Sequence, residues 1–366
     1  MQVAISAAVM AHPKRLRQAE VLCSSLRELN ATVALDPEPE GRPGTLRTSI
    51  AAWGRISDDS THHLVVQDDV SLRPGFVEAV REAVRLKPTA IWGFYCNWNT
   101  RASSIMRIAA ARGCGSFEGP RGEYAPALAM VMPRAHVTAF LEYGRRSVHA
   151  QCPDDIALSE YAQAAGVSVW YTVPNLVEHE DGGRSLVGNE YKGRLRAAYY
   201  NGAPDFDMNR PVLSATDLEC FPHLYEAGPA ELITVSEAGY HSAQLEASLG
   251  RLGLSADEVF ARYDGELARM LGGHDRADVH EALRSHGRQM WLMGFAMGSL
   301  TDCGPAASSR PLSGELASVW ETLVRGSVYQ KGPEPDDVLV GSLVEVISRS
   351  FSTARAAAGP ALRAGS

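Results

Sequence analysis

The chain has 366 residues, of which 45% are hydrophobic and 21% are charged, and this composition supports a buried core without disulfides or a structural metal. Its length allows for two domains on a prior of roughly 100–200 residues per domain. The formal net charge of −8 argues against a broad nucleic-acid surface, which needs dominant positive charge, but it leaves a local basic groove open.

The start of the chain and its cysteines indicate a cytoplasmic protein. Residues 1–11 are mostly apolar. Only Met1 and Gln2 stand before the apolar run, with no Lys or Arg, and basic residues follow it, which is the reverse of a secretory signal. The six cysteines are widely spaced and form no C-x-x-C pair, so free thiols in a reducing compartment are favoured over a zinc ribbon or a disulfide framework. No apolar run approaches the roughly 20 residues of a membrane span.

Short apolar runs alternate with amphipathic stretches through the first half of the chain. This alternation is typical of α/β proteins, in which helices cover both faces of a mostly parallel, Rossmann-like sheet. The pattern predicts strands over residues 3–10, 32–35, 63–67, 90–95 and 167–171. It predicts helices over residues 13–29, 46–56 and 154–165, and a further helix that begins near Pro74.

The pattern changes from about Ser214. Successive helices are predicted over residues 232–252, 255–271 and 274–297. The tail from about residue 352 is rich in Ala, Gly and Arg and is expected to fray. The predicted organisation is an α/β domain at 1–213, a mainly α-helical region at 214–351 for substrate binding or oligomerisation, and a flexible tail at 352–366.

The first candidate functional residues follow a predicted strand, because ligands bind beyond the carboxyl ends of the strands in a parallel sheet. The strand over 63–67 ends at Gln67, and Asp68 and Asp69 come directly after it. Their oxygen atoms suit a hard divalent cation, which stabilises negative charge as it develops on a leaving group. The alternative interpretation is a solvated turn that caps the helix near Pro74.

Two later segments carry further polar side chains that are suited to proton transfer or metal binding. Asp154 and Asp155 open an amphipathic helix. There, one carboxylate can take a proton from a hydroxyl group, or both can serve as plain helix caps. His179 follows the segment Pro174-Asn175-Leu176-Val177-Glu178. Its imidazole is either a metal ligand or an ordinary surface-loop side chain.

The order and spacing of these segments resemble those of the GT-A-fold glycosyltransferases that use nucleotide-sugars, in particular the family 2-like galactosyl- and glucosyltransferases. Gln67-Asp68-Asp69 occupies the place of an acid–Asp–Asp triplet in that superfamily, and Asp154-Asp155 resembles its later acid pair. Residues 174–185 look like its P-x-L-V-x-H … S run. The resemblance covers about residues 3–185, roughly half of the chain, and implies the GT-A fold for that part.

The resemblance implies a role for each matching residue. Asp69 matches the principal ligand of a Mn²⁺ or Mg²⁺ ion, and His179 matches a position that completes the metal shell in some families. Asp68 matches the residue that faces the ribose or sugar of the donor. Asp155 matches the catalytic base of inverting members. Gln67 departs from the family pattern, because an acid is common there, and this neutral amide leaves a metal-independent enzyme open.

Further candidates come from their position after a predicted strand or from the resemblance. The side chains of Trp98 and Asn97 suit a sugar ring, with a half-buried structural cluster as the alternative. Arg184 lies in a basic segment of the kind that closes over the diphosphate in this superfamily, with a solvated helix face as the alternative. The residues that fall where the family binds the nucleotide base and ribose are Ala11, His12 and Asp36, and Gln67 is a further candidate for binding the donor.

The predicted function is transfer of a hexose from a UDP-sugar or a similar donor to a small-molecule, glycan or peptide acceptor. One alternative is a sugar nucleotidyltransferase, but that activity needs a Gly-rich loop after the first strand, where the chain has His12-Pro13-Lys14-Arg15. The other alternative is a catalytically inactive protein, either a module that binds nucleotide-sugars or a scaffold, which Gln67 supports. A homo-oligomer is compatible with each of these functions.

Overall fold

The computed structural model describes residues 3–42, 44–146, 152–180, 190–200, 206–236, 239–301, 316–331 and 333–362. The strands are β1 (Ile5–Ala11), β2 (Thr32–Leu35), β3 (His62–Gln67), β4 (Val70–Leu72), β5 (Ile91–Gly93), β6 (Ser116–Glu118), β7 (Ala129–Pro133), β8 (Val169–Thr172), β9 (Val177–His179), β10 (Val212–Leu213), β11 (Cys220–His223), β12 (Glu231–Ser236) and β13 (Gly239–Gln244). The helices are α1 (Leu16–Ser25), α2 (Leu46–Trp53), α3 (Phe76–Leu86), α4 (Arg101–Ala111), α5 (Arg134–Gly144), α6 (Asp154–Ala164), α7 (Ala256–Gly272), α8 (Ala277–Thr301), α9 (Leu316–Val328) and α10 (Asp337–Leu362).

An eight-stranded mixed sheet organises the first half of the chain, in the order β10-β6-β8-β5-β7-β3-β1-β2. Strand β1 pairs in parallel with β2 and with β3, and β5 pairs in parallel with β8. Strand β7 lies between β3 and β5 and is antiparallel to both. The carboxyl ends of β1, β2, β3, β5 and β8 therefore lie at one edge of the sheet, together with the amino end of β7. We call this the carboxyl edge.

The predicted α/β alternation of the first half is confirmed. Strands β1, β2, β3, β5 and β8 and helices α1, α2, α3 and α6 lie at the predicted positions, with ends that differ by a few residues. Helix α4 escapes the sequence pattern because every residue after Arg101 is buried. A helix without a polar face gives the sequence no amphipathic period.

Each face of the large sheet has its own hydrophobic core, because successive residues of a strand point to opposite faces. Val9 and Val66 lie in the core that α1 and α3 cover. Ala8 and Val65 lie in the second core, which also contains residues of α2, α4, α5 and α6. This second core continues into the C-terminal helices, where it includes Trp291 of α8. The C-terminal region therefore shares a core with the sheet.

The helix predicted over residues 232–252 is wrong. This segment contains β12, β13 and a 3-10 helix at Glu246–Leu252. Strands β11, β12 and β13 form a small antiparallel sheet. The run Ile233-Thr234-Val235 is β-branched throughout and favours a strand. Gly239 has a φ of 117°, which no helix allows.

The predictions for the rest of the C-terminal region agree better with the structure. Helix α7 follows Ser255, whose hydroxyl accepts a hydrogen bond from the N–H of Glu258 at 3.5 Å. Helix α8 covers most of the helix predicted over 274–297. Helix α10 continues to Leu362, so a helix occupies most of the segment that was predicted to be a flexible tail.

Two expectations from composition also concern the described part of the chain. None of the helices described is both long enough and apolar enough to span a bilayer. The cysteines that the structure describes are free thiols.

Candidate functional site

Three of the segments singled out in the sequence meet at the carboxyl edge of the sheet. Gln67 ends β3, and its side-chain amide donates a hydrogen bond to Asp154 Oδ2 at 3.2 Å. His179 ends β9, and its Nε2 lies 3.8 Å from Asp69 Oδ2. Asp155 follows Asp154 in the first turn of α6. Gln67 thus connects the start of α6 to the strand end that Asp68, Asp69 and His179 surround, and we call these residues together the edge site.

Arg15 bridges the two carboxylates that follow β3. Its Nη1 donates to Asp68 Oδ1 at 3.1 Å and to Asp69 Oδ2 at 2.7 Å. The backbone N–H of His12 donates to Asp68 Oδ2 at 3.1 Å. Arg15 ends the 3-10 turn that follows β1, and β1 and β3 are adjacent. The turn thus carries a guanidinium group from one strand end to the carboxylates of the next.

Burial gives this ion cluster an electrostatic cost. The side chains of Arg15 and Asp68 are 18% and 10% exposed. Burial, and after it the neighbouring Asp69 carboxylate, raise the pKa of Asp68 to about 6, although Arg15 acts in the opposite direction. Perturbed carboxylates of this kind concentrate at functional sites, and some structural ion-pair networks also contain them.

Asp69 has one carboxylate oxygen that no described residue engages. Its Oδ2 contacts Arg15, whereas its Oδ1 is buried and has no hydrogen-bond partner in the ranges that the structure describes. The pairing of β4 with β9 places Val70 opposite His179, and the N–H of Glu180 donates to the Asp69 carbonyl oxygen at 2.8 Å. This short ladder holds the imidazole of His179 beside Asp69.

The side chains around Asp69 supply only part of the ligands that a divalent cation needs. Among the described residues, no three His, Cys, Asp or Glu side chains gather into a complete metal cage. Mg²⁺ is usually held by one or two carboxylates together with phosphate oxygens and waters, rather than by protein alone. Asp69, with its unengaged Oδ1, and the nearby imidazole of His179 form a partial ligand set of this kind.

Asp154 is buried, and its surroundings explain why residue 67 is an amide. The residue is 3% exposed, and its backbone N–H donates to Thr45 Oγ1 at 3.0 Å. Burial, and after it the adjacent Asp155, raise the pKa of Asp154 to about 6. An acid at position 67 would repel this carboxylate, whereas the amide of Gln67 donates to it. The side chain of Gln67 is therefore a hydrogen-bond donor to the buried Asp154 carboxylate.

Asp155 is half-buried, and its carboxylate has a fixed orientation. The hydroxyl of Tyr124 donates to Asp155 Oδ2 at 2.5 Å, and Oδ1 accepts from the N–H of Ile156 at 2.8 Å. Tyr124 precedes β7, whose amino end lies at the carboxyl edge. The hydroxyl of Ser159 links the two segments, because it donates to the Asp155 carbonyl and accepts from the N–H of Ala125.

The residues predicted to grip the nucleotide lie at the ends of β1 and β2, with their polar groups partly engaged. Asp36 Oδ1 and Oδ2 accept from Arg47 Nε at 2.6 Å and Nη2 at 2.7 Å. This hydrogen-bonded ion pair lowers the pKa of Asp36. Ala11 is buried, and its carbonyl accepts from the N–H of Asp36 at 2.9 Å. His12 is half-buried beside them.

The aromatic–amide cluster after β5 has a structural environment. Trp98 is 3% exposed, and its indole N–H donates to the Arg194 carbonyl oxygen at 3.1 Å. Asn97 forms an isolated antiparallel bridge with Ala197. Both residues attach the segment around 194–197 to the sheet, which agrees with the structural alternative for this cluster. Arg184 lies outside the described residues.

Three residues of the edge site escape the sequence analysis. Arg15 carries a weak signal, since it is a cation shortly after the first predicted strand. Tyr124 and Thr45 carry none, because they lie 31 and 109 residues from their partners Asp155 and Asp154. Only the fold brings these side chains together.

No model of a known protein family matches this chain, and a comparison with curated proteins finds no match either. The chemistry of the edge site therefore has to support any function proposed for this protein.

Proposed function

We propose that this protein is a GT-A-fold glycosyltransferase that moves a sugar from a nucleoside diphosphate-sugar, such as a UDP-sugar, to an acceptor hydroxyl. The main support is the contact between Gln67 Nε2 and Asp154 Oδ2 at 3.2 Å. This contact joins the first residue of α6, which begins with Asp154 and Asp155, to the end of β3, which Asp68 and Asp69 follow. A cation-binding carboxylate and a proton-accepting carboxylate in one site are what transfer with loss of a diphosphate requires.

Asp69 and His179 would hold a Mn²⁺ or Mg²⁺ ion in the proposed enzyme. The support is the buried, unengaged Oδ1 of Asp69 and the imidazole 3.8 Å from its Oδ2. Such an ion supplies positive charge to the diphosphate as it leaves. Asp68, which the N–H of His12 and the side chain of Arg15 orient, lies on the side of the site that faces β1.

Asp155 would act as the general base of the proposed reaction. It is more exposed than Asp154, and the Tyr124 hydroxyl orients one of its oxygens. A base must lie within hydrogen-bond reach of the acceptor hydroxyl, which favours the accessible member of the pair. Asp154 is buried, so we assign it a positioning role through Gln67. With this carboxylate as base, transfer proceeds with inversion at the sugar.

The sugar nucleotidyltransferase alternative has less support from the fold. The segment after β1 is a 3-10 turn at Pro13–Arg15 that His12 caps with its own side chain. It contains no glycine to bring the backbone close to a triphosphate. The scaffold alternative is tested by the same experiment as the transferase.

Isothermal titration with UDP, with and without Mn²⁺, tests the proposal. We expect UDP to bind with Mn²⁺, and we expect Asp69→Ala to weaken this metal-dependent binding by about 100-fold or more. The control is Asp59→Ala, which removes an exposed carboxylate elsewhere. Absence of UDP binding by the wild-type protein, with or without Mn²⁺, would exclude a UDP-sugar transferase and favour the scaffold.

A panel of nucleotide-sugars identifies the donor. Slow hydrolysis of one donor, read by mass spectrometry, should depend on Asp69 and be unaffected by Asp59→Ala. Hydrolysis that persists unchanged in Asp69→Ala would contradict the assignment of this site.

A further inference from the structure

The edge site contains a built-in cation at the place where a metal ion would bind. Arg15 Nη1 lies 3.1 Å from Asp68 Oδ1 and 2.7 Å from Asp69 Oδ2. Asp69 Oδ2 is also the oxygen that lies 3.8 Å from His179 Nε2. An ion that Asp69 and His179 hold together would bind on the Oδ2 side of the carboxylate, so it competes with the guanidinium group there although Oδ1 is unengaged.

The guanidinium group of Arg15 and a divalent ion cannot both bind Asp69 Oδ2 closely. Their mutual repulsion is stronger in a partly buried site than in water, because the effective dielectric constant is lower. Asp68 does not offer the ion an unengaged oxygen instead, since its Oδ1 accepts a hydrogen bond from Arg15 and its Oδ2 accepts one from the N–H of His12. A divalent ion that enters beside Asp69 has to move the guanidinium group away.

A displaced Arg15 has a second partner available once a nucleotide is bound. Its guanidinium is 18% exposed and is carried by a flexible side chain at the end of a short turn. Guanidinium groups bind phosphate oxygens with two parallel hydrogen bonds and keep their charge at every physiological pH. A diphosphate held by the ion at Asp69 would bring such oxygens within reach of Arg15.

We propose that Arg15 and the divalent cation exchange places: Arg15 neutralises Asp68 and Asp69 in the ligand-free protein, and it moves onto the diphosphate when the cation binds Asp69. This inference rests on the proposed function. It gives Arg15 a positioning role, and it makes the site select the cation–diphosphate pair over either component alone.

The exchange predicts a specific pattern of coupling. Mn²⁺ alone binds the wild-type protein weakly, because it has to break the contact of Arg15 with Asp69. UDP and Mn²⁺ increase each other's affinity by the same factor, as linkage requires, and we expect that factor to be about 10–100. Without Arg15, Mn²⁺ no longer competes with a cation, and the diphosphate loses a partner. The coupling factor should then fall.

Titrations of the wild-type protein, Arg15→Gln, Arg15→Lys and Arg17→Gln measure this coupling. Each protein is titrated with Mn²⁺ alone, with UDP alone, and with UDP in the presence of Mn²⁺. Arg17 is exposed on α1, two residues after Arg15, so its substitution removes the same charge away from the carboxylates. Arg15→Lys keeps the charge but not the forked donor geometry.

We expect Arg15→Gln to bind Mn²⁺ alone about tenfold more tightly than the wild-type protein, the equivalent of one ion pair removed from competition. Its coupling factor should fall to about 3 or less. Arg15→Lys should lie between these two proteins, and Arg17→Gln should match the wild type. If Arg15→Gln does not fold, Arg15→Lys still decides the question, because an ammonium group cannot bind the diphosphate with two parallel hydrogen bonds and the coupling factor of this variant has to fall below that of the wild-type protein.

Two outcomes separate this inference from the proposed function. If the wild-type protein binds UDP with Mn²⁺ but Arg15→Gln or Arg15→Lys keeps the same Mn²⁺ affinity and coupling, the exchange is overturned and the transferase stands. If the wild-type protein shows no UDP binding with Mn²⁺, both proposals fail together.

Discussion

The edge site and the C-terminal helices contain the same kinds of charged residue at very different burial. In the edge site, Arg15 bridges Asp68 and Asp69, and these side chains are 18%, 10% and 24% exposed. In the C-terminal region, Arg276 bridges Asp278 and Asp336 at 2.6 and 3.1 Å, with exposed fractions of 39%, 53% and 49%. The distances are similar, so burial is the difference.

This difference in burial gives the two groups of charges different electrostatic costs. Exposed ion pairs contribute little to stability and are screened by salt, so the network around Arg276 is typical of a solvated surface. Burial, and after it the Asp69 carboxylate, raise the pKa of Asp68 to about 6. Burial, and after it the adjacent Asp155, raise the pKa of Asp154 in the same way. Carboxylates with perturbed pKa values concentrate at functional sites, which supports the proposal that the edge site takes part in the reaction.

The largest expected effect is on catalysis. Asp155→Asn should lower kcat/KM by about 1,000-fold, because a general base contributes roughly 10²–10⁴ to the rate. The matched control is Glu160→Gln, which removes an exposed carboxylate from the same helix α6 and should leave the rate unchanged. Equal rates for Asp155→Asn and the wild-type protein would show that Asp155 is not the general base.

The C-terminal region should respond to packing rather than to charge. A Cβ atom at Gly294 of α8 would lie 2.4 Å from Ser350 Oγ and 2.5 Å from the Ile347 carbonyl oxygen of α10. Gly294→Ala should therefore destabilise the protein by about 3 kcal/mol in urea unfolding, because the two helices have to separate.

Gly265→Ala on α7 is the control for this packing prediction, since an added Cβ there would lie within 4 Å of no described atom outside its own stretch of helix. Its stability should match or exceed that of the wild-type protein, because Ala favours a helix. Similar losses of stability in Gly294→Ala and Gly265→Ala would show that close packing of α8 on α10 does not determine the stability of these helices.

Asp154 should make stability depend on pH. Its pKa is about 6 in the folded protein against 3.8 ordinarily, so its favourable contribution is complete below about pH 4 and is lost as the pH rises through 6. Relative to the wild-type protein, Asp154→Asn should gain about 2 kcal/mol of stability between pH 4 and pH 8. Urea unfolding at both pH values measures this, with the exposed Asp58→Asn as control. A constant difference between Asp154→Asn and the wild-type protein would contradict the burial argument.

Tyr124 should position the proposed base. Tyr124→Phe removes the hydroxyl that donates to Asp155 Oδ2 at 2.5 Å. We expect kcat/KM to fall by about tenfold, because the carboxylate loses a partner that fixes its orientation. Tyr225→Phe, at a side chain that is 54% exposed, should leave the rate unchanged. Equal rates for Tyr124→Phe and the wild-type protein would contradict this positioning role.

The smallest expected effect belongs to the exposed network. Arg276→Gln should change the melting temperature by less than about 1 °C, because exposed ion pairs contribute little net stability. Thermal unfolding followed by circular dichroism measures this change. A large loss would show that the contrast between the two regions is not one of burial.

The sequence alone determined the α/β class, most elements of the first half and the acid-bearing strand end. Apolar periodicity is a local property, and the strands β1, β2 and β3 and the helix α6 each express it within their own residues. Gln67, Asp68, Asp69 and Asp155 were accordingly found as candidates. The predicted helix over 232–252 failed where β-branched residues and a glycine turn outweighed an apparent helical period.

Only the tertiary structure decided which of these side chains meet. The bridge from Arg15 to Asp69, the bond from Gln67 to Asp154 and the bond from Tyr124 to Asp155 each join segments that are tens of residues apart. Burial was equally inaccessible to the sequence, and it turned Trp98 from a candidate sugar contact into a packed side chain. Contacts and burial depend on which elements become neighbours in the sheet, and local patterns carry no information on that choice.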